Sequence, residues 1–395
     1  MAAREVVVLS GARTAIGRYG GSLKDIPPTD LAAAVTKEAI ERAGVTPEDI
    51  QQAVYGNCIH TEKRDFYFSR VASVNAGVPV TTPAYTVNRL CGSGLQAIVS
   101  AAQMILLGDA DVAVSGGGES MSRAPYWAQN MRWGQRMGDG KLIDAMVGAL
   151  SDPFEDCHMG VTAENVAGQW GINREDQDEF AVESHRRAAA ALDNGYFKEQ
   201  ILPIQVKGKG GPVAFEVDEH VRKGVDMEAM AKLRPAFNKS GTVTAGNASG
   251  TNDAAAAVVL MERSEAERRG LEPMARLVGY SLAGVEPRIM GIGPTPAIKN
   301  LMEKTGLKVD DFDTIELNEA FAAQALAVVR DLGLDPEKTN PNGSGISLGH
   351  PVAATGAILT VKAMYELRRT NTNRALVSMC IGGGQGIAAA LERLN

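Results

Sequence analysis

The chain has 395 residues, of which 45% are hydrophobic and 22% charged, and its formal net charge is −7. That length allows about two to three domains, and the mix is ordinary for a soluble protein with a large core. The acidic balance argues against nucleic acid or an anionic membrane as a general partner.

Residues 1–5 (Met-Ala-Ala-Arg-Glu) lead into an apolar run at 6–9 that is too short for a signal segment and reads as a first core strand. A helix is predicted over 29–43, with Thr29 as N-cap and Gly44 closing it. A short strand follows at 53–55, then a helical patch at 71–76. A strand-like run at 85–87 precedes Asn88-Arg89-Leu90-Cys91-Gly92-Ser93-Gly94, which leads into a long apolar helix at 95–107. That helix is apolar nearly all round, which predicts burial on every side. A strand at 112–115 ends at Gly116-Gly117-Gly118. The alternation of strand and helix predicts a mostly parallel α/β sheet.

The texture changes near residue 121. Tryptophan, methionine and arginine accumulate up to about 150, a helical stretch runs over 162–191, and glycine-rich turns lie at 207–212 and 246–250. Core texture returns at 254–261. We read 121–250 as a subdomain inserted into a first half made of 1–120 plus 251–273. The second half, 274–395, repeats the first. Residues 44–57 and 306–319 both read as a helix end, an acidic turn and a strand, and both halves finish with a helix, a strand and a glycine triplet. Self-similarity at this scale predicts a duplicated α/β unit, with two sheets packed back to back around shared helices.

The four cysteines, Cys58, Cys91, Cys157 and Cys380, form no C-x-x-C pair, and the five histidines show no zinc-ligand spacing. The expectation is therefore a reducing, cytoplasmic setting and no metal. No apolar run approaches the ~20 residues of a membrane span, and the final Arg-Leu-Asn is not a peroxisomal address.

Cys91 stands where a helix N-terminus favours an anion. A free thiol titrates near ~8.5, and such a position can lower that value, so the sequence puts a thiol where a thiolate can form. Taken alone, the same cysteine reads better as a small buried hydrophobe than as a catalytic residue. Three second-half stretches join it: Asn318-Glu319-Ala320-Phe321, then Gly345-Ile346-Ser347-Leu348-Gly349-His350-Pro351, then Cys380-Ile381-Gly382-Gly383-Gly384. Singly, Asn318 is a helix cap, His350 a turn residue and Cys380 core. Together they supply two thiols, an imidazole and an amide on strand-to-helix turns, which is a nucleophile, a base, a second acid/base and an oxyanion donor.

In their order and spacing these four blocks resemble the thiolase family, the acetyl-CoA C-acyltransferases, over essentially the whole chain. Within it the chain is similar to the bacterial biosynthetic thiolases and β-ketothiolases. The resemblance implies a five-layer αβαβα thiolase fold and reversible Claisen condensation of acyl-CoA through an acyl-Cys91 intermediate. It implies His350 as the base for Cys91 and Cys380 as the base for the second substrate's α-proton. One oxyanion hole would use His350 and a water held by Asn318, the other the backbone N–H groups of Cys91 and Gly382. It further implies that Ser249, Arg222, His158 and Met159 bind CoA, and that Leu150, Met290, Ala320 and Phe321 surround the acyl group. CoA thioesters would be substrates, with no cofactor, and the assembly a homodimer or homotetramer. Two stretches depart from the family pattern. Val352-Ala353-Ala354-Thr355 follows His350-Pro351 where a glycine is usual, and residues 61–68 are rich in aromatics, which bears on acyl-chain length. A ketoacyl synthase would need a histidine where Cys380 stands, a lipid carrier would not need both thiols, and no complete dinucleotide motif opens a helix.

Overall fold

The computed structural model describes residues 4–394. Residues 1–3 and 395, the ends read above for targeting signals, lie outside the described residues.

The first half opens with β1 (Val6–Arg13), buried along its whole length. Next is α1 (Pro28–Arg42), whose cap position falls on Pro27. Thr29 is therefore inside the helix and does not cap it. Pro28 suits the first helical position, where its missing N–H costs nothing. Then come β2 (Gln52–Gly56), α2 (Phe68–Asn75), β3 (Ala84–Val87), α3 (Ser93–Leu107) and β4 (Val112–Ser120). The insertion carries α4 (Met159–Trp170) and α5 (Arg174–Asp193). The single helix expected over 162–191 is thus two, broken at Gly171, which adopts φ 62°. The chain returns to the first half as β5 (Asn252–Glu262), buried throughout.

The second half repeats this plan with β6 (Ala275–Gly284), α6 (Pro294–Thr305), β7 (Thr314–Leu317), α7 (Ala322–Leu332), α8 (Thr355–Thr370), β8 (Arg374–Ile381) and β9 (Gln385–Arg393). The repeat extends to single hydrogen bonds. Asp49 and Asp311 each accept a backbone N–H three residues back, from Thr46 and Lys308, both at 2.8 Å. Each of those short turns then delivers a strand, β2 or β7.

The strands order as β7-β8-β9-β6-β1-β5-β4-β2-β3. Only β2/β3, β2/β4 and β7/β8 pair in parallel. The sheet is mixed rather than mostly parallel, because β5 and β9 each return antiparallel alongside their half's central strand. The two halves are not separate sheets either. They join through a short antiparallel contact, Val7 with Arg276 and Val8 with Ala275. Helices α1 and α2 cover the outer side of the first half, and α6 covers the second with α7 beside it. The inner helices α3 and α8 touch each other and strands of both halves. Gly94 and Gly356 allow this approach: a Cβ on Gly356 would stand 2.4 Å from the Leu95 backbone nitrogen.

The stretch Leu90–Leu107 has 18 residues of mean hydropathy 1.6, long and apolar enough by composition to cross a membrane. The sequence reading expected no such run. Here it is the turn and inner helix between the two halves, which is why its apolar surface has no polar face.

The first glycine triplet is also not a strand end. β4 runs through it to Ser120. A Cβ on Gly117 would meet the Ala353 carbonyl oxygen at 2.2 Å, so these glycines admit the second half's backbone. The second triplet, Gly382 to Gly384, is a true turn between β8 and β9, with φ 79° and 84° at its last two positions.

Candidate active site

The loops at one end of the two halves meet at Cys91. Between β3 and α3 the backbone makes a tight turn with Leu90 in the left-handed region at φ 44°, a costly state for a non-glycine residue. Ser93 holds it: its Oγ accepts from the Arg89 N–H at 2.8 Å and donates to the Leu90 carbonyl at 2.7 Å. Gly92 lies against Ile381, whose Cδ1 would be 2.5 Å from a Cβ at this position. That contact brings the end of β8, with Cys380 and Gly382, against the Cys91 turn.

The Gly382 N–H points at the Cys91 thiol. Burial nevertheless dominates and pushes Cys91 up to about 11. The expected thiolate at a helix N-terminus is therefore corrected: in the resting site Cys91 is a thiol, because desolvation outweighs the N–H groups that favour the anion. Cys380 is fully buried, and burial pushes it up further, with Cys91 adding a smaller push.

His350 ends the loop before α8. Its Nδ1 lies 2.6 Å from Thr355 Oγ1, and that hydroxyl donates its only hydrogen to the Pro351 carbonyl at 3.0 Å. With its hydroxyl turned to Pro351, Thr355 accepts from an Nδ1 that carries the proton, and Nε2 is left with a free lone pair. Nε2 faces Asn318 Nδ2 at 3.5 Å. Burial lowers His350 to about 4, so the ring is neutral at pH 7. Asn318 Oδ1 is buried without a partner. Asn252 fixes the histidine's backbone, its Oδ1 accepting the His350 N–H at 2.9 Å.

Of the remaining candidates, Met159, Met290, Ala320 and Phe321 pack in one apolar cluster with Cys380. Leu150 belongs to a second cluster with Cys91. His158 caps α4, its Nδ1 accepting from the Gly160 N–H at 3.0 Å, and its ring stacks on Phe237 at 4.7 Å. Ser249 is half-buried, with its N–H on the Ala320 carbonyl at 2.9 Å. Arg222 is exposed, and its backbone N–H donates to His185 Nδ1 at 3.2 Å.

Three functional neighbours were not legible in the sequence. Thr355 sits in the segment marked as departing from the family pattern, five residues beyond His350. Cys58 places its thiol 3.3 Å from the Leu90 carbonyl and 3.2 Å from Ser93 Oγ. Glu119 is a fully buried carboxyl that burial raises to about 8. It accepts N–H groups from Ile59 and Ala353, each at 3.1 Å, and so ties the Cys58 loop to the His350 loop. A glutamate directly after three glycines inside an apolar strand was its available signal.

Two thiols, a neutral imidazole with a directed lone pair and an unpartnered amide oxygen, on loops of the two halves that pack together, suit cysteine-dependent acyl transfer. The comparisons agree with that class. Residues 6–264 match the family model described as Thiolase, N-terminal domain, and residues 271–393 match Thiolase, C-terminal domain. The chain belongs to the thiolase family. It is 65% identical over 392 residues to the beta-ketothiolase BktB of Cupriavidus necator, covering 99% of this chain and 100% of that one. It is 48% identical to the acetyl-CoA acetyltransferase of Syntrophomonas wolfei, covering 99% and 100%. Among solved structures, human mitochondrial 3-ketoacyl-CoA thiolase in complex with CoA superposes with a TM-score of 0.96 at 44% identity, covering 99% of this chain and 98% of that one.

Proposed function

We propose that this thiolase condenses two acetyl-CoA molecules to acetoacetyl-CoA and CoA, and runs the reverse thiolysis, through an acyl-Cys91 intermediate. The observation that carries the reading is the placement of the His350 ring, with Nδ1 on Thr355 Oγ1 and Nε2 facing the amide of Asn318. Because Cys91 rests as a thiol, its attack on the thioester carbonyl and the loss of its proton to Nε2 are one event. The Cys91–carbonyl bond forms, the CoA–carbonyl bond breaks, and His350 returns the proton to the departing CoA sulfur. Its low proton affinity makes that return fast.

The oxyanion of this step sits on the N–H groups of Cys91 and Gly382. For the second substrate, Cys380 gives its own proton to His350 Nε2 and removes the α-proton, and the enolate oxygen is held by the Nε2–H so formed and by a water on Asn318. The new carbon–carbon bond forms as the bond to Cys91 breaks, and His350 returns its proton to the departing Cys91 sulfur. Removing one such donor costs ~10²–10³ in rate in comparable sites. Ser249, Arg222, His158 and Met159 hold CoA, and Leu150, Met290, Ala320 and Phe321 enclose the acyl group. CoA thioesters are the substrates, no cofactor takes part, and the protein acts in the cytoplasm as a homodimer or homotetramer.

A second reading, a broad-range 3-ketoacyl-CoA thiolase, is favoured by the 65% identity to a protein named beta-ketothiolase. The deciding assay is CoA-dependent thiolysis across 3-ketoacyl-CoA chain lengths, beside Cys91→Ala. Cleavage by the native chain with no acyl adduct and no turnover in Cys91→Ala is the expected result. Full activity in Cys91→Ala sinks the reading.

A further inference from the structure

Arg13 is the last residue of β1, and its guanidinium is wholly buried against an equally buried Asp218. Its Nη1 and Nη2 donate to the two Asp218 oxygens at 2.7 and 2.9 Å, and its Nε donates to Gln200 Oε1 at 2.8 Å. Its face lies over the Phe197 ring at 5.1 Å. Asp218 Oδ1 also accepts the Ile16 N–H at 2.8 Å. Two residues on, the chain keeps to the same turn: the Glu219 N–H donates to the Ile16 carbonyl at 2.9 Å, and Glu219 Oε2 accepts the Arg18 N–H at 3.0 Å. The His220 ring then fits against Gly250, where a Cβ would stand 2.3 Å from the ring's Cε1. Arg222 follows, exposed at the end of this anchored run. The other side of the turn faces the histidine loop. The Gly17 carbonyl accepts from Asn252 Nδ2 at 3.0 Å, and Asn252 Oδ1 accepts the His350 N–H at 2.9 Å. The segment from Arg13 to Arg18 is thus seated between the loop that carries Arg222 and the loop that carries His350.

We propose that Arg13 is a positioning residue for CoA, which through Asp218 fixes the Arg222 loop at a set distance from His350. The proposal rests on the thiolase reading above and on its assignment of Arg222 to CoA. A buried ion pair is weak evidence for stability, because an apolar pair of similar volume often does as well. A two-pronged guanidinium–carboxylate contact fixes distance and orientation together, which an apolar pair does not. Arg222 is exposed, so its place is set by the backbone beneath it, and that backbone is held at Asp218, Glu219 and His220. The pantetheine half of CoA carries no charge, so the Arg222 guanidinium pairs only with the phosphorylated nucleotide half. Arg13 therefore acts on affinity for the nucleotide and not on the chemistry at Cys91.

The test is thiolysis of acetoacetyl-CoA with CoA and, in parallel, with pantetheine as the thiol, in the native chain, in Arg13→Lys and in Arg13→Met/Asp218→Asn. The double substitution removes both charges and keeps an amide oxygen for the Ile16 N–H. The KM for CoA is expected to rise about tenfold or more in the double variant and less in Arg13→Lys, with kcat and the KM for pantetheine within about threefold of native. With Arg222→Ala already present, the Arg13 changes should raise the KM for CoA no further. Arg13→Lys keeps a cation against Asp218 and carries the test if the double variant does not fold. An unchanged KM for CoA in the folded variants overturns the proposal. So do equal rises for CoA and pantetheine, or a rise that persists beside Arg222→Ala, since either makes the pair merely structural. An Arg222→Ala protein with native KM for CoA overturns the assignment of Arg222 and leaves thiolysis at Cys91 intact. A native chain that cleaves with neither thiol overturns the thiolase reading itself.

Discussion

Gly117 lies in β4, opposite Gly56 on one side and Ala256 on the other. Gly117→Ala would put a methyl group 2.2 Å from the Ala353 carbonyl oxygen and 3.1 Å from its carbon. Ordinary contact begins near 3.4 Å, so one backbone must retreat by about an ångström. The His350 loop cannot yield freely, because the Ala353 N–H is bonded to buried Glu119 at 3.1 Å. His350 is three residues before Ala353 and its partner Thr355 is two residues after. A shift of that size at a catalytic group costs ~10²-fold in rate, and overpacking costs about 1–3 kcal/mol in stability. We expect thiolysis kcat to fall about 100-fold with the melting temperature lowered but unfolding still cooperative. Gly118→Ala is the control. Successive strand residues face opposite ways, and here the new methyl meets only the tip of the Phe68 ring, at 2.6 Å, in the outer helix layer. Its kcat is expected to stay within a few-fold of native. Native kcat in a folded Gly117→Ala protein, or equal losses in both variants, would refute the coupling of β4 to the histidine loop.

Thr355→Val removes the acceptor of the His350 Nδ1–H, and the buried donor left behind is worth about 1–3 kcal/mol, or ~5–150-fold in kcat. The variant should still form the acyl-enzyme, slowly, as read by mass spectrometry, and a native rate would remove the tautomer argument. His350 is held near 4 against an ordinary 6.5. Its contribution to stability is complete above the ordinary value and is lost as pH falls through 4, about 3 kcal/mol in all. The rate of acyl-enzyme formation should accordingly stay flat as pH drops below 6.5, and a decline centred at 6.5 in the free enzyme contradicts it. Lys362 on α8 donates to buried Glu316 at 2.7 Å and to the Gly343 carbonyl at 2.6 Å, clamping the start of the His350 loop. Lys362→Met leaves a buried carboxyl alone and should cost about 3–5 kcal/mol by denaturant unfolding, with much of it recovered in Lys362→Met/Glu316→Gln. No recovery in the double variant would show that the loss is packing rather than charge.

The parts of the fold that were legible were those with a local cause. The apolar run of α3 and the acidic turns ending in Asp49 and Asp311 carry their signals within a dozen residues. The break at Gly171 was missed because the helical pattern resumes at once beyond it. The direction of β5 and β9 was missed because pairing partners lie as far apart as Val6 and Glu262, and alternation of strand and helix does not encode them. In the site, Asn318 was legible because it stands where β7 gives way to α7, and His350 and Cys380 because each adjoins a glycine-rich turn, although Cys380 stands in β8 before a turn to β9 and not before a helix. Glu119 and Cys58 were not, because their significance lies in what the other loops bring to them.

The same distance explains the misjudged thiol. From sequence, Cys91 is a cysteine before a helix, and only the favourable dipole is visible. In the folded chain Ile381 closes over Gly92, and Cys380, Leu150 and Val352 close around the sulfur, so desolvation becomes the larger effect. The consequence is chemical. A resting thiolate would react with any electrophile that reached it. A thiol pushed up to about 11 beside a histidine held near 4 exchanges its proton only when a carbonyl is in place to take the sulfur's electrons. In the proposed mechanism burial thus makes the nucleophile conditional on substrate, with Asn318 and Gly382 assigned the charge stabilisation that the transition state needs.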